Sequence, residues 1–176
     1  MTRVHPKEAI MFNRILVPTD FSDSSDAALE YARALAQKFD ASLFLLHVIE
    51  PTFTAGAFTN EMYVPETPGM YAVLLKEALS KFAHRVRPSD RARYAATTEV
   101  ITGPCAGTIV QYAADRDIDL IVMGTHGRTG LAHLLMGSVA EHVVRAAPCP
   151  VLTTRGTGKE RIPIEELGHE RVAVGV

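Results

Sequence analysis

The sequence predicts an α/β fold: a single doubly wound domain with a five-stranded parallel sheet, strand order 3-2-1-4-5, and helices on both faces. Short apolar runs alternate along the chain with segments of helical periodicity, which gives the order βαβαβαβαβ. Most of these runs are apolar throughout, as is typical of strands that are covered on both faces. Right-handed crossovers then wind the sheet both ways from a central first strand.

The amino-terminal half supplies two strands and one helix before a long connection. "RILVP" (14–18) is apolar, rich in branched side chains and closed by proline, so it predicts a buried strand. Alanine and leucine recur at helical spacing over 24–39, after several candidate N-caps in "TDFSDSS". Residues 41–50 predict a second strand. Residues 51–68 carry three prolines and no period, which predicts a long loop that is either functional or disordered.

The carboxyl-terminal half continues the alternation. Residues 70–86 predict a second helix, which "PSDR" ends, and 94–103 a third strand, polar enough for a sheet edge. The remaining elements are a helix over 106–117, a strand over 119–123, a helix over 138–147 and a strand over 150–154. The expected domain is therefore 12–155, with an N-terminal extension (1–11) and a C-terminal tail (156–176).

Composition excludes several classes of function. The 176 residues carry a net charge of −2, and no lysine or arginine run predicts binding to nucleic acid or to a membrane surface. The longest apolar stretches are too short to span a bilayer, and the amino terminus lacks the features of a signal peptide. Cys105 and Cys149 form no CxxC motif and are interpreted as small buried thiols. We therefore expect a cytoplasmic protein.

A glycine-rich stretch, "GTHGRTGLAHLLMGS" (124–138), follows the fourth predicted strand and leads into a helix. Its glycines are Gly124, Gly127, Gly130 and Gly137. Glycine allows close backbone approach, and successive amides in such a turn can surround an anion. The helix start adds free amides and a partial positive charge. The pattern indicates a polyphosphate site without a lysine, with charge from Arg128 and from His126.

Several of these residues also fit roles that need no ligand. Ser138 and Glu141 match a capping box, which would account for both of them. Gly127 and Gly130 could simply form a tight turn. The sequence has neither GxxxxGK[ST] nor a GxGxxG after the first strand, so P-loop and dinucleotide sites are not expected. It also lacks HExxH, and its histidines are more typical of loops and helix surfaces than of metal ligands.

Taken together, these segments resemble the universal stress protein family over nearly all of 12–155. The resemblance rests on "RILVPTDFS", on "LLHVIE" and on "DLIVMGTHGRTGLAHLLMGSVAEHVV" leading to "PVLTT". The third segment contains Gly124, Gly127 and the pair Gly137-Ser138 at the spacing G-x2-G-x9-G-[ST]. That spacing resembles the signature of the family's ATP-binding branch.

The resemblance implies an ATP site. Pro18, Thr19 and Asp20 match the turn that walls the adenosine, and Val48 matches the position whose backbone bonds to adenine. The residues that match the loop around ribose and phosphates are Met123, Gly124, Thr125, His126, Gly127, Arg128, Thr129 and Gly130. Those that match the helix start are Gly137, Ser138 and Val139. The family also implies Mg²⁺ held through the phosphates and a homodimer through the strand 150–155.

Three functions compete: a nucleotide-binding regulatory module, an ATP hydrolase or nucleotidyl transferase, and a structural dimer with a vestigial site. The intact glycine spacing disfavours the vestigial site. The absence of SGGxDS, HxGH-like and KMSKS-like signatures disfavours a transferase. We therefore expect an ATP-binding stress-response protein with slow or no hydrolysis, with a slow hydrolase as the alternative and with a regulatory partner not identifiable from sequence.

Overall fold

The structure is a computed structural model that describes residues 11–50, 68–125 and 136–154. Five strands and five helices lie within these ranges. In chain order they are β1 (Arg14–Pro18), α1 (Asp23–Phe39), β2 (Ser42–Ile49), α2 (Pro68–Arg85), α3 (Pro88–Tyr94), β3 (Thr97–Thr102), α4 (Cys105–Asp115), β4 (Leu120–Gly124), α5 (Ser138–Ala146) and β5 (Val151–Thr154).

The strands form one parallel sheet in the order β3-β2-β1-β4-β5, which confirms the predicted fold class. β1 is central: it pairs with β2 from Arg14 to Pro18 and with β4 through Ile15 and Leu16. The polar β3 lies at one edge, as its composition predicts, and β5 lies at the other. Because the winding reverses on either side of β1, a crevice opens between the carboxyl ends of β1 and β4.

Side chains alternate between two apolar layers, one on each face of the sheet. On one face, Ile15 and Val17 pack with α1 and with Phe82 of α2. On the opposite face, Leu16 packs with residues of α4 and α5 such as Ile109 and Val143. All of these residues are nearly or fully buried. Helices therefore cover both faces, as the apolar strands predict.

One helix differs from the sequence-based expectation. "PSDR" predicts a helix stop after α2, but Pro88 begins the seven-residue helix α3. Proline suits the first turn of a helix because its missing amide has no intrahelical partner there. Asp90 completes the start of α3 by accepting a hydrogen bond from the Arg87 amide at 2.9 Å. The predicted strand over 94–103 begins only at Thr97, since Tyr94 ends α3 and Ala95 is left-handed (φ 45°).

A buried ion pair fastens α3 to α1. The Arg33 guanidinium donates to the Asp90 carboxylate through Nη2 at 2.6 Å and through Nε at 3.2 Å. Nη2 also donates to the backbone carbonyl of Arg85 at 2.6 Å. Both charged residues are less than a tenth exposed. One side chain thus joins α1, α2 and α3.

Three predicted segments lie outside the described residues. They are the extension 1–11, the loop 51–68 and the tail 156–176, apart from the boundary residues Met11 and Pro68. Pro68 already belongs to α2, which starts two residues before the predicted helix. Among the helices that the structure describes, none is long and apolar enough to cross a membrane.

Candidate functional site

A cleft of about 200 Å³ lies at the carboxyl ends of β1 and β4, where the winding of the sheet reverses. Every predicted site residue that the structure describes lines this cleft. They are Pro18, Thr19, Asp20, Val48, Met123, Gly124, Thr125, Gly137, Ser138 and Val139. The other predicted residues, His126, Gly127, Arg128, Thr129 and Gly130, lie outside the described residues.

The turn after β1 forms one wall and is held by its own polar side chains. The Thr19 amide donates to the Leu46 carbonyl at 2.8 Å, and Thr19 Oγ1 accepts from the Phe21 amide at 3.0 Å. Asp20 Oδ1 accepts from both the amide and the hydroxyl of Ser22, at 3.1 and 2.6 Å. Ser22 in turn caps α1. Asp20 therefore fixes the entry to α1 and faces the cleft as well.

β2 brings both an apolar surface and a backbone edge to the cleft. Val48 is nearly buried and belongs to the same apolar cluster as Ile109 and Met123. The Leu46 carbonyl faces β1 and the Ile49 carbonyl faces β3, where it accepts from the Gly103 amide. Since backbone groups alternate along a strand, those of Val48 point to the β1 side. β1 has already ended at Pro18, which pairs with Leu46, so this edge opens on the cleft.

Gly124 ends β4 against the first turn of α1. A Cβ at this position would lie 3.0 Å from the carbonyl carbon and the Cβ of Ser24, and closer still to the Ser24 hydroxyl. Backbone atoms cannot move aside as the tip of a flexible side chain can. This glycine of the motif therefore has a packing role that does not depend on any ligand.

The start of α5 forms the opposite wall. Its N-cap is Gly137, so Ser138 is the first helical residue and the predicted capping box is wrong. The Glu141 carboxylate pairs instead with Arg145 at 2.8 Å, and the Glu141 amide donates to the Gly137 carbonyl. Gly137 (φ −73°) needs no glycine for its backbone conformation. Because glycine has no side chain, residue 137 cannot cap the free amides in the first turn of α5.

A backbone bond joins the two glycine-bearing parts of the motif. The Gly137 amide donates to the Thr125 carbonyl at 2.7 Å, and the Thr125 amide donates to the Thr154 carbonyl at 2.9 Å. The end of β4, the end of β5 and the start of α5 are thereby held together at one corner of the cleft. The sequence analysis could not predict this hydrogen bond, because Thr125 and Gly137 are far apart in the chain.

Six further lining residues were not predicted: Ser25, Leu46, His47, Cys105, Ile109 and Ala140. Ile109 sits on α4, which the quoted motifs do not include, whereas Ala140 directly follows the predicted residues at the start of α5. His47 Nδ1 lies 2.8 Å from the Thr19 carbonyl, which can only accept, so Nδ1 carries the proton. The helical spacing of "AGTIVQYAA", together with the sheet order, is the signal that would have placed Ile109 over the carboxyl ends of the strands.

Cys105 places a protonated thiol in the cleft. Burial, and then the carboxylates of Glu50 and Asp20, raise the pKa of Cys105 to about 11. Its amide also donates to Glu50 Oε1 at 3.2 Å. A thiol with so high a pKa is a poor nucleophile near neutral pH, because the thiolate is the reactive form. This position therefore contributes packing rather than covalent chemistry.

No cluster of three or more metal-ligating side chains occurs within residues 11–50, 68–125 and 136–154. Asp20 is the carboxylate among the cleft-lining residues that these ranges contain. A divalent ion in this cleft would thus depend mainly on oxygen atoms of the ligand, as Mg²⁺ does when it is bound through phosphates.

Comparison with known sequences gives a consistent result. Residues 11–155 match the model of the Universal stress protein family. The chain is 34% identical over 151 residues to universal stress protein MJ0531 of Methanocaldococcus jannaschii, covering 85% of this chain and 86% of that one. It is also 34% identical over 148 residues to universal stress protein YxiE of Bacillus subtilis, covering 82% of this chain and all of the relative.

Solved structures agree with the sequence relatives. Universal stress protein UspA from Lactobacillus plantarum superimposes with a TM-score of 0.67 at 32% identity, over 82% of this chain and 99% of that one. A universal stress protein crystallised in complex with cAMP superimposes with a TM-score of 0.54 at 26% identity, over 84% and 99%. By its family match and by these relatives, the chain belongs to the universal stress protein family.

Proposed function

We propose that this protein is a regulatory module that binds ATP in the cleft between β1 and β4 and hydrolyses it slowly or not at all. One observation carries the proposal: the predicted nucleotide-contacting residues that the structure describes come from separate segments of the chain and line a single cleft. The G-x2-G-x9-G-[ST] spacing, which resembles that of the ATP-binding branch, supports the same ligand.

The adenosine end of the ligand lies against β1 and β2. The outward backbone edge of Val48 suits the polar edge of adenine, and the side chains of Ile109 and Met123 suit its faces. Asp20 is an acceptor for ribose hydroxyls. A carboxylate repels phosphates, so Asp20 belongs at this end of the ligand.

The phosphates lie against the start of α5. The first-turn amides of Ser138 and Val139 receive no cap from a Gly137 side chain, and the helix dipole favours an anion there. The loop residues His126, Gly127, Arg128, Thr129 and Gly130 complete this end in the proposal. Mg²⁺, held through the phosphates, would neutralise part of their charge.

Slow turnover follows from the absence, among the described lining residues, of a base beside the start of α5, where the phosphates are proposed to lie. His47 lines the cleft, but the Thr19 carbonyl and the Phe21 ring hold it at the β2 wall, which the proposal gives to the adenosine. Asp20 is engaged by Ser22, and the Glu141 carboxylate pairs with Arg145 on an exposed helix face. His126 is the remaining candidate from the sequence. Enzymes turn over at a median of about 10 s⁻¹, and we expect hydrolysis several orders of magnitude slower than that.

A second ligand is suggested by the relative that was solved with cAMP. cAMP offers the same adenosine but a single phosphate, so it would leave most of the α5 amides without an anion. We expect ATP to bind more tightly than cAMP for that reason. GTP should bind weakly, because the edge of guanine reverses the donor and acceptor that adenine presents to Val48.

Titration calorimetry with ATP, ADP, cAMP and GTP, each with Mg²⁺, tests the proposal, together with mass spectrometry of any nucleotide that copurifies. The expected order is ATP before cAMP and GTP. A protein that binds no adenine nucleotide contradicts the function. A single-turnover assay with labelled ATP tests the second half: hydrolysis faster than about once per second, lost in His126→Ala, makes the protein an enzyme.

We further propose a homodimer through 150–155. β5 is an edge strand, and edge strands present unpaired backbone groups to a partner. Leu152, an exposed apolar residue, lies on this edge strand. Both described cysteines are free, which suits the reducing cytoplasm that we propose as its location. A regulatory protein partner is also part of the proposal.

A further inference from the structure

Phe21 occupies an unusual position directly after the cleft-lining turn. Its φ of 65° lies in the left-handed region, which bulky side chains rarely adopt. Such a conformation persists only where the surrounding structure imposes it. The contacts of Phe21 therefore identify the part of the molecule that fixes this turn.

Those contacts come mainly from the carboxyl-terminal end of α2. Arg85 Nη2 donates to the Phe21 carbonyl at 2.9 Å, and Arg85 Nε donates to Asp26 of α1 at 2.6 Å. The Arg85 guanidinium also lies 5.2 Å from the centre of the Phe21 ring. The same ring packs edge-on against Phe82, with ring centres 5.1 Å apart. A single arginine thus holds both the backbone and the ring of Phe21.

The Phe21 ring also contacts a residue that lines the cleft. The Phe21 ring lies 4.5 Å, centre to centre, from the imidazole of His47. His47 lines the cleft and bonds to the carbonyl of Thr19, which lines it too. Arg85 itself is not among the described lining residues. Its contacts therefore reach the cleft through Phe21, and from there through the turn and His47.

We propose that Arg85 is a positioning residue of the nucleotide site: it holds the turn 18–21 in the conformation that walls the cleft, although it does not touch the ligand. The inference rests on the proposed nucleotide-binding function.

Lys81 provides a matched control on the same helix. Its ammonium lies 5.5 Å from the centre of the Phe21 ring, but its ion pair is with Glu77 of α2. Lys81→Gln and Arg85→Gln each remove one cation beside the ring. Only Arg85→Gln also removes the hydrogen bond to the Phe21 carbonyl in the turn and the hydrogen bond to Asp26 of α1.

The test combines calorimetry with ATP and NMR of the ligand-free protein. We expect Arg85→Gln to weaken ATP binding about tenfold, measured well below its melting temperature, and Lys81→Gln to change it less than about twofold. In the free protein, Arg85→Gln should shift the Thr19 and Asp20 amide resonances and the ring protons of His47, which a loss of stability alone does not do.

The possible outcomes distinguish a failure of this inference from a failure of the proposed function. Wild-type affinity in Arg85→Gln, or unchanged Thr19, Asp20 and His47 resonances, overturns the positioning role whatever happens to the melting temperature. A wild-type protein that binds no adenine nucleotide overturns the proposed function instead. The resonances of the free protein still decide in that case whether Arg85 sets the turn.

Discussion

Gly124 and Ser24 approach so closely that a methyl group cannot fit between them. A Cβ on Gly124 would lie 3.0 Å from both the backbone carbonyl carbon and the Cβ of Ser24. Ser24 is in the first turn of α1, directly after the turn that walls the cleft, and Gly124 ends β4. The first glycine of the motif therefore allows the end of β4 to touch the first turn of α1, beside the turn that walls the cleft.

Gly124→Ala should lower the free energy of unfolding by about 1–3 kcal/mol, because the added methyl forces α1 away from β4. Gly107→Ala is the control, since a Cβ there meets nothing within 4 Å. That change should leave stability unaltered or raise it by up to about 1 kcal/mol. Urea denaturation measures both, and equal stability of Gly124→Ala and the wild type contradicts the packing role.

Gly137→Glu should weaken ATP binding by more than about tenfold, or 1.4 kcal/mol. The backbone at Gly137 is extended and tolerates a side chain, so the change places a carboxylate where phosphates are proposed to lie. Gly69→Glu makes the same substitution at an exposed position of α2 with nothing within 4 Å. Calorimetry should show wild-type affinity for Gly69→Glu. Equal loss in both variants would point to net charge rather than to a local site.

Asp90→Asn should cost about 3 kcal/mol of stability, the lower end for breaking a buried pair, because, among the described residues, the buried Arg33 then keeps only its ion pair with the exposed Glu30. The comparison is Arg145→Gln, which breaks the exposed pair with Glu141 one turn away and should cost less than about 0.5 kcal/mol. Chemical denaturation of both variants gives the two values. A loss of less than about 1 kcal/mol in Asp90→Asn, on the order of a surface pair, would show that α3 is not held by this contact.

Thr153→Pro should shift the protein from dimer to monomer. The Thr154 carbonyl faces β4, so the alternating backbone groups of Thr153 face the outer edge of the sheet. Proline there removes an outward amide and leaves the pairing with β4 intact. Light scattering should give twice 19.2 kDa for the wild type and for Thr153→Ala. A 19.2 kDa wild-type particle at micromolar concentration would exclude the dimer.

Cys105 should react slowly with iodoacetamide at pH 8, and faster as the pH approaches its pKa of about 11. Burial and two carboxylates keep the thiol protonated in the folded protein. ATP should protect Cys105, which lines the cleft, but not Cys149, which lies before β5 at the other end of the sheet. Mass spectrometry of alkylated peptides measures both sites. Equal protection of the two thiols would place the nucleotide elsewhere.

The raised pKa of Cys105 also predicts how the stability of the protein depends on pH. The pKa of Cys105 rises from 9.0 in the unfolded chain to about 11 in the folded one, so the folded state holds more protons between these values. Its contribution to stability is complete below pH 9 and is lost as the pH rises towards 11. Cys105→Ser should therefore flatten the decline of the unfolding free energy over this window.

Local patterns in the sequence predicted most of the fold. Continuous apolar strands and periodic helices predicted the doubly wound parallel sheet, and the polar composition of β3 marked it as an edge. The strand order also required the premise that β1 is central, which the structure confirms. α3 was missed because seven residues with three prominent charges show no helical period, and a proline after a helix indicates a stop as readily as a first helical residue. The predicted cap failed because Gly137 and Ser138 are adjacent and both are acceptable N-caps.

Sequence reasoning could place only those parts of the site that directly follow the carboxyl ends of strands. The turn at Pro18 and the end of β4 were placed by topology, and the structure brings them together. Contacts between distant helices leave no local signal: Arg33 and Asp90 are 57 residues apart, and Arg85 and Phe21 are 64 apart. Each depends on how helices pack after the sheet has formed.

The central place of β1 has a consequence for the order of assembly. β1 is the first of the described strands to leave the ribosome, yet one of its two partners, β4, begins only at Leu120. At about 5–20 residues per second, its second edge stays open for roughly 5–20 s of synthesis. The Asp119 carboxylate then accepts hydrogen bonds from the Asn13 and Arg14 amides, at 2.8 and 2.9 Å. β1 is thus made before the other described strands but is among the last of them to gain all its partners. Aggregation during synthesis should therefore depend on how its open edge is shielded until β4 pairs with it.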